Sequence, residues 1–416
     1  MRKINLIFVK SALIRGGSAL LSLYLQIWIV GQFGGSKYGD LVLFLTVCSF
    51  FLIISKGGAD QNIVRMIAIA ENKGNSCLVN RVARSVVIYS IVSCFLTVSI
   101  SSFVDYWFFS SQLFLKIGFL KVFLGVVLMF SINLLLACMR GQGKFIAVDF
   151  FDGIFKNVLF IAISLFASVV FVVSALDLIY LQLFVFFIQL IIVLKVLIGI
   201  AREWTLVNYK LVFGEVIDHM YFIMIGLLGF VYFQFDTYVL AFYVTSFEVG
   251  AYNMACNFVR LIIFIPLIVA AQIQPKIAIA FNSGDFLEVN RITVRSTMLS
   301  LGVATIAYGF LFLLGRLALR FVDEGFVISE QALLILGVAH IFNSYVLVSN
   351  SVLIMLKRQK VVFAVQFFGA IPVVIGYYFL IPKYGQSGAG LSVLFGMLIV
   401  CLTYFFAIFK MGRVRF

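Results

Sequence analysis

The stretch Gly226–Lys276, GLLGFVYFQFDTYVLAFYVTSFEVGAYNMACNFVRLIIFIPLIVAAQIQPK, decides how the chain is organised. It holds an apolar segment that ends at Asp236, turn-forming residues at 245–250, and a second apolar segment that contains Arg260 and Pro266. A helix needs about 20 apolar residues to cross a bilayer. We therefore interpret the stretch as two membrane-spanning helices joined by a short turn, with a proline that permits a bend in the second helix.

An earlier segment, residues 26–65, repeats this design of apolar helix, turn, apolar helix and terminal cation. A shift of 211 positions places Gly39 on Gly250 and Arg65 on Lys276. A weaker match, at a shift of 217 positions, places Asn133 on Asn350 and Gln142 on Gln359. The pattern predicts a chain built from two similar halves of the same orientation.

The composition indicates the class of protein. Hydrophobic residues make up 63% of the 416 residues and charged residues 12%, against about 45–50% and about 25% in soluble domains. Because hydrocarbon offers no water to the backbone, such runs are expected to form helices. We predict an all-α polytopic membrane protein of about 12 transmembrane helices. The expected spans are 12–32, 39–60, 85–109, 113–138, 147–172, 179–200, 216–241, 250–274, 296–319, 330–356, 361–381 and 388–409.

The loops between these spans alternate between basic and cation-poor sequences. The positive-inside rule then places both termini in the cytoplasm, which requires an even number of spans. A polar stretch at 204–210 divides the chain into an N-terminal six-helix bundle, 1–203, and a C-terminal one, 204–416. Parallel repeats of this kind are typical of transporters with a central cavity between the halves.

Other functions lack their motifs. The formal charge of +14 is spread over short loops, so no nucleic acid is expected as a partner. The six cysteines are scattered singly, without the spacing of a metal site. Neither a phosphate-binding GxxxxGK[ST] loop nor a hydrolase nucleophile motif occurs. We expect no cofactor, no metal and no enzyme activity.

Three stretches resemble a known family. The turn at 34–39 is similar to the family's loop between its first two spans, although the usual proline and acidic residues are absent. Asp236 followed by Val249–Ala255 is similar to its Asp-to-Gly-x-Tyr-x-x-Ala pattern, and Pro382–Ala389 to the turn before its last span. On these residues the chain resembles the polysaccharide transporter branch of the multidrug/oligosaccharidyl-lipid/polysaccharide flippase superfamily, which includes O-antigen flippases.

The resemblance implies a flippase that moves undecaprenyl-pyrophosphate-linked O-antigen, or a similar oligosaccharide repeat unit, between leaflets of the inner membrane. It implies transport without ATP, driven by a proton or sodium gradient or by consumption of the product. The implied partners are the lipid-linked oligosaccharide, membrane lipids, and an O-antigen polymerase with its chain-length regulator.

Charged side chains within the apolar runs indicate where a substrate would bind. An ionisable group at mid-bilayer costs at least about 2.5–3.5 kcal/mol, so it should face a cavity or a partner. The deep charges are mostly cations, which would lower the barrier for a pyrophosphate group. Asp149 and Asp152 are alternatively explained as helix-neighbour partners of Lys156. The predicted substrate-binding residues are Arg260, Lys121, Lys156 and Arg15, and the predicted coupling or gating residues are Asp236 and Asp60. For Asp236, a structural ion pair with a deep cation is an equal alternative.

Two other functions compete with this hypothesis. A multidrug-extrusion antiporter for organic cations would have the same size, but it needs acidic sites where this chain has mainly Lys and Arg. An O-antigen polymerase would need a large external loop, whereas the longest expected here is 321–329. The two histidines, His219 and His340, are interpreted as hydrogen-bonded interior residues.

Overall fold

The computed structural model of the protein describes residues 2–56, 63, 64, 67, 99, 118–170, 177–198, 216–356 and 358–413. Within these ranges every regular element is a helix, and nine helices are long and apolar enough to cross a membrane. The protein is therefore a multi-pass helical membrane protein, as predicted. The predicted span 85–109 falls outside the described residues, apart from Ser99, and so does Asp60.

The chain folds as two compact units, 1–227 and 228–416. The predicted boundary between residues 203 and 204 falls in 199–215, outside the described residues, and stays a prediction. The helices of the first unit are α1 (Arg2–Phe33), α2 (Gly35–Lys56), α3 (Phe119–Gly141), α4 (Phe145–Asp149), a π-helical segment (Phe150–Phe155), α5 (Lys156–Val170), α6 (Leu178–Ile198) and the larger part of α7 (Val216–Phe233).

Close helix packing in the first unit depends on small residues. A Cβ atom added to Gly125 of α3 would lie 2.6 Å from the ring of Phe44 and 2.9 Å from Cys48 Sγ, both on α2. Phe44 and Val126 are fully buried at this contact. Since association of helices in lipid relies on close van der Waals packing, glycine at this position lets α2 and α3 approach.

The second unit begins with the end of α7 and is built around α12, which packs against both α11 and α13. Its helices begin where local signals favour them: Thr245 and Glu248 form a capping box at the start of α9. A 3₁₀ turn precedes α10, and Pro266 lies in the first turn of α10, where proline is tolerated. The elements are α8 (Phe235–Leu240), α9 (Ser246–Arg260), a 3₁₀ turn (Leu261–Ile263), α10 (Phe264–Asn282), α11 (Phe286–Val322), a 3₁₀ turn (Glu324–Ser329), α12 (Glu330–Met355) and α13 (Gln359–Arg413).

The 55-residue α13 is a hairpin of two helical limbs. Gly385 interrupts it with φ +53° and ψ −126°, angles that favour glycine. The two limbs then contact each other in antiparallel register, because Tyr404 Oη donates to the Val362 carbonyl at 3.5 Å and Gly376 faces Ser392. A straight helix would hold Tyr404 and Val362 about 63 Å apart. The predicted spans 361–381 and 388–409 are thereby confirmed as separate limbs.

Gly388 is the position of this hairpin that tolerates a side chain least. A Cβ atom there would lie 2.2 Å from the backbone oxygen of Leu380 on the opposite limb. Gly388→Ala is therefore expected to destabilise the protein by about 1–3 kcal/mol, as overpacking usually does. Thermal unfolding of the purified protein in detergent measures this. Gly309→Ala is the matched control, since nothing lies within 4 Å of its Cβ position; equal melting temperatures for the two variants would contradict the prediction.

Candidate functional site

The helix that precedes α9 is broken at Gln234. This residue has φ −146° and ψ −22°, which ends α7 at Phe233 and starts α8 at Phe235. A helix end leaves backbone carbonyls without partners inside the helix and carries partial negative charge. Interrupted helices of this type form substrate and ion sites in transporters when their ends line a cavity.

Arg260 binds the carbonyl at this break. Its Nη2 donates to the Phe233 carbonyl at 3.2 Å and its Nη1 to Asn257 Oδ1 at 3.0 Å, while the side chain stays exposed. Both acceptors are neutral, so the guanidinium keeps its charge and still has N–H groups for a ligand. The prediction that Arg260 lies well inside its span agrees with its place at the end of α9, about 21 Å along the helix from Ser246.

His340 of α12 lies beside the same break. It is buried, stacks on the ring of Phe233 with centroids 6.3 Å apart, and has Asn343 Nδ2 at 3.4 Å from its Nδ1. This agrees with its interpretation as a hydrogen-bonded interior histidine. We call the set of Arg260, Asn257, Phe233, His340 and Asn343 the Arg260 cluster.

Asp236 is the acid nearest to the break in sequence, and it is buried with 3% exposure. Tyr252 Oη donates to its Oδ2 at 2.7 Å, and the Thr237 backbone N–H to its Oδ1 at 2.6 Å. No ion pair to Asp236 forms among the described residues. Gln234 Oε1 is also buried there, and none of the described residues donates a hydrogen bond to it. The break at Gln234 thus has three polar groups around it: the exposed guanidinium of Arg260, the buried carboxyl group of Asp236 and the side-chain oxygen of Gln234.

Lys121 does not lie deep in its span. The prediction placed it about eight residues inside, but α3 begins at Phe119, after Gly118 with φ +92°. Its Nζ forms an ion pair with Asp177 Oδ2 at 2.6 Å and lies 4.4 Å from the centre of the Tyr180 ring. Lys121 was predicted to be a cation deep in its span with no acid beside it. That prediction is wrong, because Lys121 lies at a helix end and is neutralised by Asp177.

Arg15 is placed against α4. Its Nε lies 3.1 Å from Asp149 Oδ2, and the Arg140 Nη2 lies 3.7 Å from Asp152 Oδ2. Arg140 and Lys121 lie near opposite ends of α3, about 28 Å apart at 1.5 Å per residue, which is nearly the thickness of the hydrocarbon core. Arg15 and Lys121 are therefore at opposite ends of the first unit.

Lys156 forms an ion pair with neither Asp149 nor Asp152, the two acids that were proposed as its helix neighbours. The π-helical segment between Asp149 and Lys156 adds backbone to each turn, so residues four apart no longer share a face. Lys156 is half-buried, and in the described part of the chain it has no ion pair or hydrogen bond. Of the predicted cations in the first unit, Lys156 is the one left uncompensated inside a span.

The sequence hypothesis missed most of the neighbours of Arg260. One signal was present, because Asn253, Asn257 and Arg260 follow at helical spacing and form a polar stripe on an otherwise apolar helix. The structure joins them, with Asn257 Nδ2 donating to Asn253 Oδ1 at 2.9 Å. The contributions of His340 and of the Phe233 carbonyl depend on tertiary packing. The described residues contain no group of three His, Cys, Asp or Glu side chains that could hold a metal ion.

Comparison with known proteins gives no match to a family model and none to a curated protein. Solved structures do match. An inward-facing MATE family multidrug resistance transporter of the MOP superfamily is 13% identical over 96% of this chain and 98% of that one, with a TM-score of 0.74. The lipid II flippase MurJ, in an inward closed conformation, is 13% identical over 96% and 87%, with a TM-score of 0.76.

A third similar structure is a MOP superfamily transporter from Pyrococcus furiosus, described as having a binding pocket of reverse polarity that suggests a different function. It is 12% identical over 98% of this chain and 96% of that one, with a TM-score of 0.62. At such identities the likeness concerns the fold. The predicted all-α class of about twelve transmembrane helices is confirmed, and the chain has the fold of MOP superfamily transporters.

Proposed function

We propose that the protein is a flippase for undecaprenyl-pyrophosphate-linked O-antigen or similar repeat units, acting by alternating access in the bacterial inner membrane. The observation that carries the proposal is the exposed guanidinium of Arg260, held by neutral acceptors at a broken helix. The shared fold with the lipid II flippase MurJ and with MATE transporters supports a carrier of this general type. Both termini are proposed to lie in the cytoplasm.

Arg260 is suited to a pyrophosphate because, among the described residues, no acid forms an ion pair with it. A planar guanidinium can bind two phosphate oxygens at once, and such charge-assisted hydrogen bonds are stronger than neutral ones. The Phe233 carbonyl and Asn257 hold the group in place without neutralising it. Binding would thereby offset part of the cost of bringing a charged head group into a medium of low dielectric constant.

The four predicted cations receive different weight. Lys156, uncompensated and half-buried, is proposed as a second phosphate contact. Arg15 shares its charge with Asp149 but keeps 68% of its side chain exposed, so we retain it as a weaker contact at the entrance. Lys121 is bound to Asp177, and we assign it a structural role.

Asp236 is proposed as the coupling residue. Among the described residues this buried carboxyl group has hydrogen bonds but no direct ion pair, and such a group can gain or lose a bound proton or sodium ion. The unpartnered Gln234 Oε1 at the same break would supply a further oxygen to a cation. Asp60 stays a candidate from sequence alone. The O-antigen polymerase and chain-length regulator remain proposed partners.

An antiporter for organic cations is the second candidate, favoured by the same buried acid and by the similarity to MATE transporters. Proteoliposomes distinguish the two functions. The flippase proposal expects movement of a lipid-pyrophosphate-linked oligosaccharide between leaflets, measured by its accessibility to an added lectin, and no gradient-driven uptake of ethidium. Ethidium transport without oligosaccharide movement would overturn it.

A further inference from the structure

A cavity of about 560 Å³ lies where α10 turns into α11, and it shares no lining residue with the Arg260 cluster. Apolar side chains of both helices form part of its wall, including Ile273 and Ile292. Its polar lining consists of Lys276, Ser283, Asp285, Glu288, Arg295 and Ser296.

The acids of this cavity already have partners. Asp285 accepts the Glu288 backbone N–H at 2.9 Å as the helix cap of α11, and Glu288 pairs with Arg291 at 2.8 Å. Lys276 and Arg295 have no ion pair or hydrogen bond within the described part of the chain. Lys276 and Arg295 are therefore without a direct acid partner there. Since Glu288 is paired with Arg291 and Asp285 keeps its single charge, the lining has a net positive charge that favours an anionic ligand.

The cavity lies at the level of the membrane surface. α11 has 37 residues, about 55 Å of helix, whereas the hydrocarbon core is about 30 Å thick. Its first turns carry Glu288, Arg291 and Arg295, so they belong outside the hydrocarbon, and the predicted span starts at Ser296. Large apolar side chains are nevertheless exposed in this region: Ile279, which lines the cavity, at 69%, and Leu287, which precedes the lining residue Glu288 in the chain, at 83%.

We propose that this cavity binds the phosphodiester head group of an acidic phospholipid such as phosphatidylglycerol. Lys276 and Arg295 receive the phosphate, and the hydroxyl group of Ser296 can donate to its oxygens, whereas that of Ser283 already donates to the Ala280 carbonyl at 3.0 Å. Exposed apolar residues around a basic cavity at this depth suit the acyl chains of a lipid better than a free anion. The site is independent of the transported substrate.

The test measures lipid binding to the purified full-length protein by native mass spectrometry, with phosphatidylglycerol or phosphatidylcholine added. Wild type is expected to prefer phosphatidylglycerol. Each surface cation contributes about fivefold to acidic-lipid binding, so Lys276→Ala with Arg295→Ala should weaken it by about 30-fold. Arg358→Ala with Lys360→Ala is the control, because it removes the same charge from an exposed position outside the cavity.

Three outcomes would overturn the proposal. Equal loss in the two double variants would show attraction to basic loops in general. No preference for phosphatidylglycerol over phosphatidylcholine would exclude a site for acidic head groups. Displacement of the lipid by millimolar inorganic phosphate would identify a soluble anion as the occupant. Melting temperatures without added lipid control for folding. When phosphatidylglycerol is added, wild type and the Arg358→Ala with Lys360→Ala control should gain thermal stability, and the Lys276→Ala with Arg295→Ala variant should not.

Discussion

Arg260→Ala is expected to reduce oligosaccharide movement in proteoliposomes by about 30-fold or more. In the proposed complex the guanidinium and the pyrophosphate form a charge pair that is desolvated on binding. Removing one partner of such a pair costs about 2–5 kcal/mol, and a loss of about 2 kcal/mol corresponds to about 30-fold. Arg260→Lys should keep part of the activity, because lysine retains the positive charge. It should not restore full activity, because lysine lacks the planar guanidinium that binds the Phe233 carbonyl and a second acceptor together. The flipping rate of each variant, normalised to the amount of inserted protein, measures the effect.

Arg320→Ala is the matched control for this experiment. Arg320 lies on α11 in the same unit, is 64% exposed, and has only a long contact of 3.4 Å with Glu324. Exposed ion pairs of this type contribute about 0–1 kcal/mol, so transport should stay near the wild-type rate. Near-wild-type transport by Arg260→Ala, with a normal melting temperature, would remove Arg260 from the substrate path.

Much of the fold follows from local sequence. Apolar runs of sufficient length predict the spans, and short signals place their ends: the capping box of Thr245 and Glu248 begins α9 near the predicted turn. Gly385, inside the predicted turn 382–387, is where α13 folds back. Such signals act within a few residues, so one sequence is enough to recognise them.

The errors concern interactions that the local sequence does not contain. The position of Lys121 was misjudged because Gly118 was not recognised as a helix boundary, and its partner Asp177 lies 56 residues away in the chain. The pairing of Asp152 with Lys156 assumed an α-helix where the backbone is π-helical. In both cases tertiary contacts or an unusual helical turn determine the partner of a charge.

The chemistry of the Arg260 cluster was only partly predictable. Helical spacing in the sequence relates Asn257 to Arg260. The break at Gln234 could not be predicted in this way, because no proline or glycine stands at that position or beside it. Functional sites are where local rules are expected to fail, because strained or interrupted backbone serves binding there. Gln234 Oε1, which is buried and accepts no hydrogen bond from the described residues, is a second feature of this site that local rules would not predict.

The hydrogen bond from Tyr252 to Asp236 leads to the second large effect. Tyr252→Phe leaves a fully buried carboxyl oxygen without its donor, at a cost of about 1–3 kcal/mol or more for a charged acceptor. Tyr232→Phe is the matched control, since Tyr232 is also buried but donates to the neutral Gln366 carbonyl at 2.9 Å. Thermal unfolding in detergent should show a larger loss for Tyr252→Phe; an equal or smaller loss would contradict a charged partner.

A double-variant cycle extends this test to the coupling role of Asp236. Asp236→Leu alone leaves the Tyr252 hydroxyl buried and unpaired, whereas Asp236→Leu with Tyr252→Phe removes both partners, so the double variant should lose less stability than the sum of the two. Asp236→Asn keeps the shape but not the charge. Its transport should no longer respond to an imposed proton or sodium gradient, whereas Tyr232→Phe should respond as wild type does. A gradient response that survives in Asp236→Asn would mean that the coupling ion binds elsewhere, and Tyr252 would then have only a structural role.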